Sequence, residues 1–492
     1  MRKLKELQPS SVFYYFEDIC NIPHGSGNIE QMSNYLVDFA KKHSLEHVQD
    51  EVKNVIIFKK ASIGYEEQDP MILQSHMDMV TVKKSGSTID LEKDGIDVQV
   101  DGDCIYAIDT SLGGDNGIGM AYTLALLAGI DVEHPPLECI FTVDEEVGMD
   151  GATALDLSML KGTRLMNIDS EEEGILLASC AGGSKVSGRL LLEQGVRSGC
   201  RVKITLSGCK GGHSGVEIHT GRANAAYVCM RCLLQLEKEI SFGIFAIEGG
   251  LKDNAIPQEA SATIIMETED LSRLEEILEK MTATLAKEYY LKEEGMKVSY
   301  SLEESDIVTS KMTTTSHYSV VQDEELKRLF SFLLNQPNGV ISMSSTMEGV
   351  VETSLNLGIL TLKDGELLTC YAVRSNIDSA REALVDRMVL LIGQLGGTCI
   401  MGGEYPAWEY MEESKLRERM KRVYMRLYGT QMQVQGVHAG LECGILCEKI
   451  EGLDCVSVGP NMEGIHTTEE KFSISSVERM WSYLLEVLKE KE

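Results

Sequence analysis

Amphipathic segments alternate with short apolar runs along the first part of the chain. Apolar residues recur at helical spacing in SSVFYYFEDICNI (10–22) and IGMAYTLALLAGI (118–130), and this spacing predicts helices. Continuous apolar runs predict buried strands, and these runs are VIIFKK (55–60), MILQSHMDMV (71–80), LECIFTVDEE (137–146) and RLMNIDSEE (164–172). Helices that alternate with buried strands over residues 1–186 indicate an α/β layer.

The pattern changes near CAGGSKVSGRLLL (180–192), where longer strands with alternating polar and apolar positions begin. Between residues 187 and 396 such strands are grouped with fewer helices, which is typical of an α+β domain. The α/β pattern then returns with the amphipathic helix SKLRERMKRVYMRLYG (414–429). We therefore predict one α/β domain made of residues 1–186 and 397–492, interrupted by an inserted domain of residues 187–396.

Two polar side chains interrupt the apolar strand LQSHMDMV (73–80). His76 and Asp78 stand two positions apart, and in a strand such residues point to the same face. Burying both costs several kcal/mol unless each side chain finds a partner. The segment therefore predicts that His76 and Asp78 each have a partner that compensates for the burial.

Further polar residues follow other predicted strands or precede a helix in a glycine-rich loop. They are Asp115 in SLGGDNGIG, the run Asp144, Glu145 and Glu146, Asp169 in NIDSEEEG, and His466. Taken singly, each has an ordinary explanation, such as a helix N-cap or a solvated surface group. Because ligands of an open parallel sheet gather beyond the carboxyl ends of its strands, their coincidence favours one shared site.

Histidines and carboxylates without a cysteine are ligands that zinc, manganese or cobalt accepts. Two histidines and three carboxylates suffice for two ions that share one carboxylate. Adjacent Glu145 and Glu146 cannot both face one ion on an extended backbone, so one can bind while the other reaches a water. That division of roles is what metal-assisted hydrolysis requires.

Composition narrows the possible partners and the compartment. A chain of 492 residues predicts two or more domains. Its formal net charge of −31 disfavours nucleic-acid and anionic-membrane surfaces. No run reaches the roughly 18 apolar residues of a membrane span, and MRKLKELQPSSVFYYF lacks the apolar core of a signal peptide. We therefore expect a cytoplasmic protein, whose 13 cysteines stay reduced.

The motifs together resemble the M20 family of metallopeptidases, in its aminoacyl-histidine dipeptidase branch. They occur in the order of the family and are LQSHMDMV, LGGDNGIG, TVDEEVGMDGA, NIDSEEEG, CAGG, KGGHSGVEI with GRANA, HAGLECG and GPNMEGIH. The resemblance implies a phosphorylase/hydrolase-like dizinc peptidase domain with a central mixed sheet. A large α+β lid domain would interrupt that α/β domain.

The resemblance also implies a ligand set for two divalent metal ions per chain. His76, Asp115 and Asp169 would bind one ion. Asp115, Glu146 and His466 would bind the other, so that Asp115 bridges the two. Zinc is the expected metal, and manganese and cobalt are compatible with the same ligands.

Two acidic residues carry catalytic roles in the family pattern. Glu145 would be the general base that takes a proton from the attacking water and passes it to the leaving amine. Asp78 would lie behind His76 and fix its tautomer without binding metal.

Substrate contacts would come mainly from the lid. His213 resembles the lid histidine that stabilises the tetrahedral oxyanion. Asn254 and Arg374 match substrate-contacting positions, and Arg374 is suited to a peptide carboxylate. Gly440 lies in the turn HAGLECG, which meets the C-terminal end of the substrate in the family.

Two positions depart from the family pattern. Gly114 stands where alanine is commoner, and Asn376 stands where serine is commoner. Neither belongs to the metal set, but Asn376 bears on the substrate pocket of the inserted domain.

The resulting hypothesis is a homodimeric metallo-dipeptidase that cleaves unblocked dipeptides, including carnosine-like Xaa-His. An N-acyl amino acid deacylase or a tripeptidase on the same scaffold is the alternative. A non-catalytic binding protein is disfavoured, because such a relative would lose a ligand or the base, and here all seven positions are filled.

Overall fold

The computed structural model describes residues 2–130, 132–302 and 317–491. The chain forms two units. The first unit comprises Met1–Cys180, Trp408–Gly436 and Leu441–Glu492, and the second comprises Ala181–Ala407 and Val437–Gly440. Among the described residues, none of the helices combines the length and the apolar character of a membrane span.

A mixed sheet forms the centre of the first unit. Its strands, in spatial order, are β1 (Glu46–Gln49), β2 (Val55–Lys59), β6 (Leu137–Thr142), β3 (Met71–His76), β7 (Arg164–Asn167), β23 (Asp454–Ser457), β8 (Ile175–Cys180) and β22 (Gln433–Val437). The adjacent strands β6, β3, β7 and β23 run parallel. β3, β6 and β7 are buried along their whole length, which explains why they appear in the sequence as continuous apolar runs.

Helices and a smaller sheet complete this unit. The helices are α1 (Ser10–Cys20), α2 (Glu30–Lys42), α3 (Gly114–Ala128), α4 (Asp150–Ala154), α9 (Lys415–Tyr428), α10 (Glu442–Lys449) and α11 (Ile474–Lys489). The smaller sheet has the order β24 (Met462–Glu463), β25 (Lys471–Ser473), β5 (Cys104–Ala107) and β4 (Val98–Asp101). The predicted α/β class with a central mixed sheet is confirmed.

A long antiparallel sheet organises the second unit. Its order is β16 (Lys297–Leu302), β11 (Cys200–Ser207), β15 (Ala260–Met266), β13 (Phe242–Gly249), β19 (Val351–Lys363), β20 (Glu366–Ser375), β9 (Gly182–Leu191) and β21 (Thr398–Tyr405), and β18 (Gly339–Met343) also pairs with β19. Two ribbons pair β10 (Gly195–Ser198) with β17 (His317–Val320) and β12 (Gly212–His213) with β14 (Ala255–Ile256). The helices are α5 (Ala225–Glu237), α6 (Leu271–Glu288), α7 (Glu324–Leu334) and α8 (Asp378–Gln394).

The units divide at positions different from the domain boundaries drawn from the sequence. The boundary expected after residue 186 falls inside β9, whose backbone pairs with β20 over its whole length. The boundary expected after residue 396 precedes β21, which pairs with β9. The pairing of β9 and β21 agrees with the assignment of both flanks to the second unit, which also includes the short segment Val437–Gly440. Residues 303–316 of the predicted insert lie outside the described residues.

An aromatic pair packs α1 of the first unit against β25. Phe16 and Phe472 are buried, and their ring centroids lie 4.9 Å apart in an edge-to-face arrangement. Gly117 of α3 lies close to the same ring, since a Cβ there would be 3.3 Å from Cε2 of Phe16. The small residue allows α3 to approach α1.

Replacing Phe16 by alanine is expected to destabilise the first unit by about 3–5 kcal/mol, because a fully buried aromatic side chain is removed. Both tryptophans of the chain, Trp408 and Trp481, belong to this unit. Urea unfolding followed by tryptophan fluorescence therefore measures the effect on this unit. The exposed Ser11 of the same helix provides the control, and Ser11→Ala should change the free energy by about 0.5 kcal/mol or less. Equal midpoints for the two variants would contradict the packing described for Phe16.

Candidate active site

The polar residues singled out in the sequence follow the carboxyl ends of the parallel strands in the first unit. His76 is the last residue of β3, and Asp169 follows the end of β7. Glu145 and Glu146 follow β6, and His466 lies in the segment after β23. Since neighbouring parallel strands end at the same edge of a sheet, this topology gathers the side chains from distant parts of the chain.

The carboxylate of Asp115 lies between two histidines. Its Oδ1 is 3.1 Å from Nε2 of His76, and its Oδ2 is 3.2 Å from Nε2 of His466. Each oxygen therefore faces a different imidazole, which is the arrangement that a carboxylate shared between two cations requires.

Two further carboxylates complete the two groups. Oδ1 of Asp169 is 3.4 Å from Nε2 of His76, and Oε1 of Glu146 is 2.9 Å from Nε2 of His466. One ligand atom each from His76, Asp115 and Glu146 can be chosen within 4.8 Å of one another. Each half of the site thus offers one imidazole nitrogen and two carboxylate oxygens, a donor set that zinc, manganese or cobalt accepts.

Burial and crowding shift the pKa values of these groups. Burial, together with the charge of Asp115, raises the pKa of Asp169 to about 6. Burial, reinforced by nearby carboxylates, also holds the pKa of Glu145 well above its usual range. Hydrogen bonds to Asp115 and Glu146 raise the pKa of His466 to about 10. Burial opposes ionisation of Asp115, but hydrogen bonds from the two histidines outweigh it and lower its pKa.

The raised pKa values of Asp169, Glu145 and His466 are those expected of a cluster with an excess of negative charge. Positive charge is favoured on the histidines, and protons are favoured on part of the carboxylates. Divalent cations relieve the same repulsion more effectively than protons do. The residues present therefore fit a metal centre.

Asp78 lies beyond the end of β3, whereas the sequence pattern placed it inside the strand. Nδ1 of His76 is 2.9 Å from the backbone carbonyl oxygen of Asp78 and 3.5 Å from its Oδ1. The carboxylate accepts hydrogen bonds from the hydroxyl of Ser26 at 2.8 Å and from the backbone N–H of Glu145 at 3.0 Å. Asp78 therefore links the imidazole of His76 to the loop that carries Glu145 and Glu146.

The loop that carries Asp115 is held by the carboxylate of Glu470, which the sequence analysis missed. This buried side chain accepts hydrogen bonds from four consecutive backbone N–H groups, those of Leu112, Gly113, Gly114 and Asp115, over 2.8–3.3 Å. A Cβ at Gly114 would lie 3.0 Å from Cδ1 of Phe472, so the departure from the family alanine suits the local packing. In the sequence, Glu470 is distinguished only as the second of two adjacent acidic residues shortly after His466.

The start of α3 is fitted closely against the segment after β7. The side-chain amide of Asn116 donates a hydrogen bond to Oδ1 of Asp169. A Cβ at Gly119 would collide with the carbonyl oxygen of Ile168. The glycine-rich loop of the sequence thus permits a close approach that orients Asp169 beside Asp115.

In the second unit, His213 is the last residue of β12, and Asn254 directly precedes β14, the strand that pairs with β12. His213 pairs with Ala255, and the backbone N–H of Ser214 donates to the carbonyl oxygen of Asn254 at 2.9 Å. Nδ1 of His213 accepts backbone N–H groups from Gly215 and Val216 at 3.2 and 3.1 Å. Burial and the charge of Arg374 lower the pKa of His213. The neutral ring therefore carries its proton on Nε2, as a hydrogen-bond donor.

Arg374 and the segment that contains Gly440 meet His213 at Gly215. A Cβ at Gly215 would lie 3.0 Å from Cε1 of His213 and 3.1 Å from Nε of Arg374, and it would collide with the carbonyl oxygen of His438. Arg374 is 9% exposed and donates from Nη1 to the hydroxyl of Tyr405 at 2.6 Å. Its Nε has no hydrogen-bond partner among the described residues. The lid positions named from the sequence are thus neighbours within the second unit.

His438 was not recognised in the sequence, although it is buried beside these groups. The hydroxyl of Ser354 is 2.7 Å from Nε2 of His438, and Oδ1 of Asn376 is 3.1 Å from Nδ1. Burial, then the charge of Arg374, lowers the pKa of His438 to about 3. The neutral ring donates to Asn376 and accepts from Ser354. Asn376, the second departure from the family pattern, thus helps to hold the segment before Gly440.

Comparisons with known proteins agree with this fold and site. Residues 204–293 match the family model described as the peptidase dimerisation domain. The chain is 37% identical over 497 residues to the cytosol non-specific dipeptidase of Escherichia coli, covering 100% of this chain and 99% of the relative. The crystal structure of aminoacylhistidine dipeptidase from Vibrio alginolyticus superimposes with a TM-score of 0.88 at 34% identity, covering 99% of both chains.

A more distant structure, the aminopeptidase PepT from Bacillus cereus, shares the fold with a TM-score of 0.60 and 16% identity over 98% of both chains. The fold and the donor set define a metal-dependent hydrolase. The chain belongs to the M20 family of metallopeptidases.

Removing the carboxylate of Glu470 is expected to weaken divalent-metal binding about 10- to 100-fold, the usual effect of losing an outer partner of a metal ligand. Glu470→Ala frees four backbone N–H groups, and Glu470→Gln retains one acceptor oxygen and should have a smaller effect. Metal titration of the chelator-treated protein measures the affinity. The neighbouring Glu469 is exposed, so Glu469→Ala provides the control, and equal losses for both alanine variants would refute the role of Glu470.

Proposed function

We propose that the protein is a metal-dependent dipeptidase that hydrolyses unblocked dipeptides, including Xaa-His, with two divalent metal ions per chain. The observation that carries this proposal is the placement of Asp115, whose two oxygens face two separate histidines. The names of the relatives from Escherichia coli and Vibrio alginolyticus support a dipeptide as the substrate.

The metal ligands follow from the two halves of the site. His76, Asp115 and Asp169 would hold one ion, and Asp115, Glu146 and His466 would hold the other, with zinc the expected metal and manganese or cobalt compatible. When bound, such ions act as Lewis acids that lower the pKa of a water and polarise the scissile carbonyl.

Glu145 supplies the acid–base chemistry in this proposal. Its backbone N–H is fixed by Asp78, and its neighbour Glu146 contacts His466. Glu145 is therefore held next to the ligands while its own carboxylate remains available. It takes a proton from the attacking water and returns that proton to the amine of the departing amino acid.

The second unit supplies the substrate contacts. Nε2–H of His213 donates a hydrogen bond to the developing oxyanion. Arg374 binds the substrate carboxylate, to which it can offer an Nε–H that has no partner among the described residues. Asn254 and the backbone at Gly440 belong to the same part of the second unit as His213 and Arg374, and they orient the dipeptide.

Assembly and location are also part of the proposal. The match of residues 204–293 to a peptidase dimerisation domain supports a homodimer. The name of the Escherichia coli relative supports a cytosolic location.

Glu145→Gln removes the base while keeping the size of the side chain. We expect kcat for dipeptide hydrolysis to fall about 10²- to 10⁴-fold, and metal content to stay at the wild-type value. The control is Asp150→Asn, an equal change of charge at an exposed position of the same segment, which should retain activity. Wild-type turnover by Glu145→Gln would exclude Glu145 as the base.

Substrate profiling tests the proposed specificity. The protein is depleted of metal with a chelator, which should abolish hydrolysis, and is then reloaded with zinc, manganese or cobalt. Each form is assayed with β-Ala-His, Gly-His, an acetylated amino acid and a tripeptide. Unblocked dipeptides should be cleaved, whereas preference for the acetylated substrate or the tripeptide would favour a deacylase or a tripeptidase instead.

A further inference from the structure

A buried polar network lies in the first unit, beneath the strand ends that carry the site residues. Its members are Gln74 on β3, Thr142 on β6, Asn167 on β7 and Glu442 at the start of α10, and the accessible surface of each is 0%. Gln74 and Glu442 lie within the motifs LQSHMDMV and HAGLECG, but the roles expected from the sequence and the proposed chemistry do not include this network.

Glu442 is the hub of the network. Its Oε2 accepts a hydrogen bond from the hydroxyl of Thr142 at 2.7 Å and another from the amide of Gln74 at 2.5 Å. The same Gln74 amide nitrogen lies 3.2 Å from the Thr142 hydroxyl, and Oε1 of Gln74 accepts from the amide of Asn167 at 2.5 Å. One carboxylate oxygen on a helix therefore contacts residues of two neighbouring strands, and Gln74 extends the network to the third.

Each strand residue of the network lies a short distance before a residue of the site. Gln74 precedes His76 by two positions, and Asn167 precedes Asp169 by two. Thr142 is the last residue of β6, directly opposite His76 in the ladder. The network therefore lies directly before the loops that carry the residues of the site.

The backbone ladder alone does not explain such a network. β3 already pairs with β6 and β7 along its length, and a fully buried carboxylate costs several kcal/mol to desolvate. Apolar residues of similar volume often stabilise a core equally well. The directed hydrogen bonds between these buried side chains instead fix the relative positions of the strands.

We propose that Glu442 is a positioning residue of the hydrolytic site. It acts through Gln74 and Thr142, and it fixes the ends of β3, β6 and β7 so that His76, Asp169 and the loop of Glu145 keep their relative geometry. The proposal rests on the proposed function for its catalytic consequence, but its effect on metal binding is independent of the substrate.

The test compares Glu442→Ala with Glu442→Gln. The hydroxyl of Thr142 and the amide of Gln74 both donate to Oε2 of Glu442. Oε1 of Glu442 has no hydrogen-bond partner among the described residues. A glutamine can therefore place its oxygen at Oε2 and keep both hydrogen bonds while losing the charge. Alanine loses the hydrogen bonds as well.

A second buried glutamate provides the matched control. Glu138 lies near the beginning of β6, is 5% exposed and accepts backbone N–H groups from Lys161 and Gly162 at 2.9 Å. Glu138→Ala removes a buried carboxylate and its hydrogen bonds from the same strand, but at the end away from the site. It should lower stability without changing metal affinity.

The expected result is specific to Glu442→Ala. Its affinity for divalent metal and its kcat should each fall about 10- to 100-fold, with KM changed less than about threefold. Glu442→Gln should restore both values to within about threefold of wild type. The proposal is overturned if Glu442→Ala matches Glu138→Ala in metal affinity and kcat, or if glutamine is as damaging as alanine, since the charge would then be responsible.

Thr142→Val keeps the proposal testable if Glu442→Ala does not fold. It removes one donor to Glu442 and should reduce metal affinity and kcat in the same direction, whereas unchanged values would overturn the proposal. If the metal-loaded wild type cleaves no dipeptide, the proposed function fails. The metal titrations of the variants would still decide the positioning role.

Discussion

The constraint on which the site depends is the concentration of negative charge at one edge of the central sheet. Three carboxylates meet two histidines around Asp115. Such a group is stable only where positive charge is shared between its members, so the geometry of the edge is set by the need to present oxygens and nitrogens to cations. The surrounding features serve to keep that geometry in place.

The supports around the site are chiefly backbone N–H groups and neutral side chains. Glu470 accepts hydrogen bonds from four N–H groups of the Asp115 loop. Asp78 is held by a serine hydroxyl and by the N–H of Glu145. The second unit follows the same logic, since His438 is kept neutral between Ser354 and Asn376.

Much of the architecture could be predicted from local patterns. A buried strand produces an apolar run, and a polar residue at the end of such a run is conspicuous, so His76, Glu146 and Asp169 could be singled out before the structure placed them together.

The supporting residues could not be found in this way. Glu470 contacts a loop 355 residues earlier in the chain, and Glu442 contacts Gln74 across 368 residues. Their partners are defined by the packing of the chain. Although Glu442 lies in the motif HAGLECG, the local sequence does not indicate which distant residues Glu442 and Glu470 contact. The division of the chain into units also depends on long-range pairing, since β9 pairs with β20 and β21 pairs with β9.

The same long-range connections have a consequence for biosynthesis. Asp115 and the acidic loop after β6 are made early, whereas His466 and Glu470 are made after the whole of the second unit. A growing chain on the ribosome therefore cannot assemble either the shared carboxylate arrangement or the cradle beneath it until those late residues emerge. Until then the chain contains acidic loops without their histidine and backbone partners. Assembly of this group of side chains is thus coupled to late synthesis, because a chain that ends before residue 466 lacks both the second histidine and the carboxylate of Glu470.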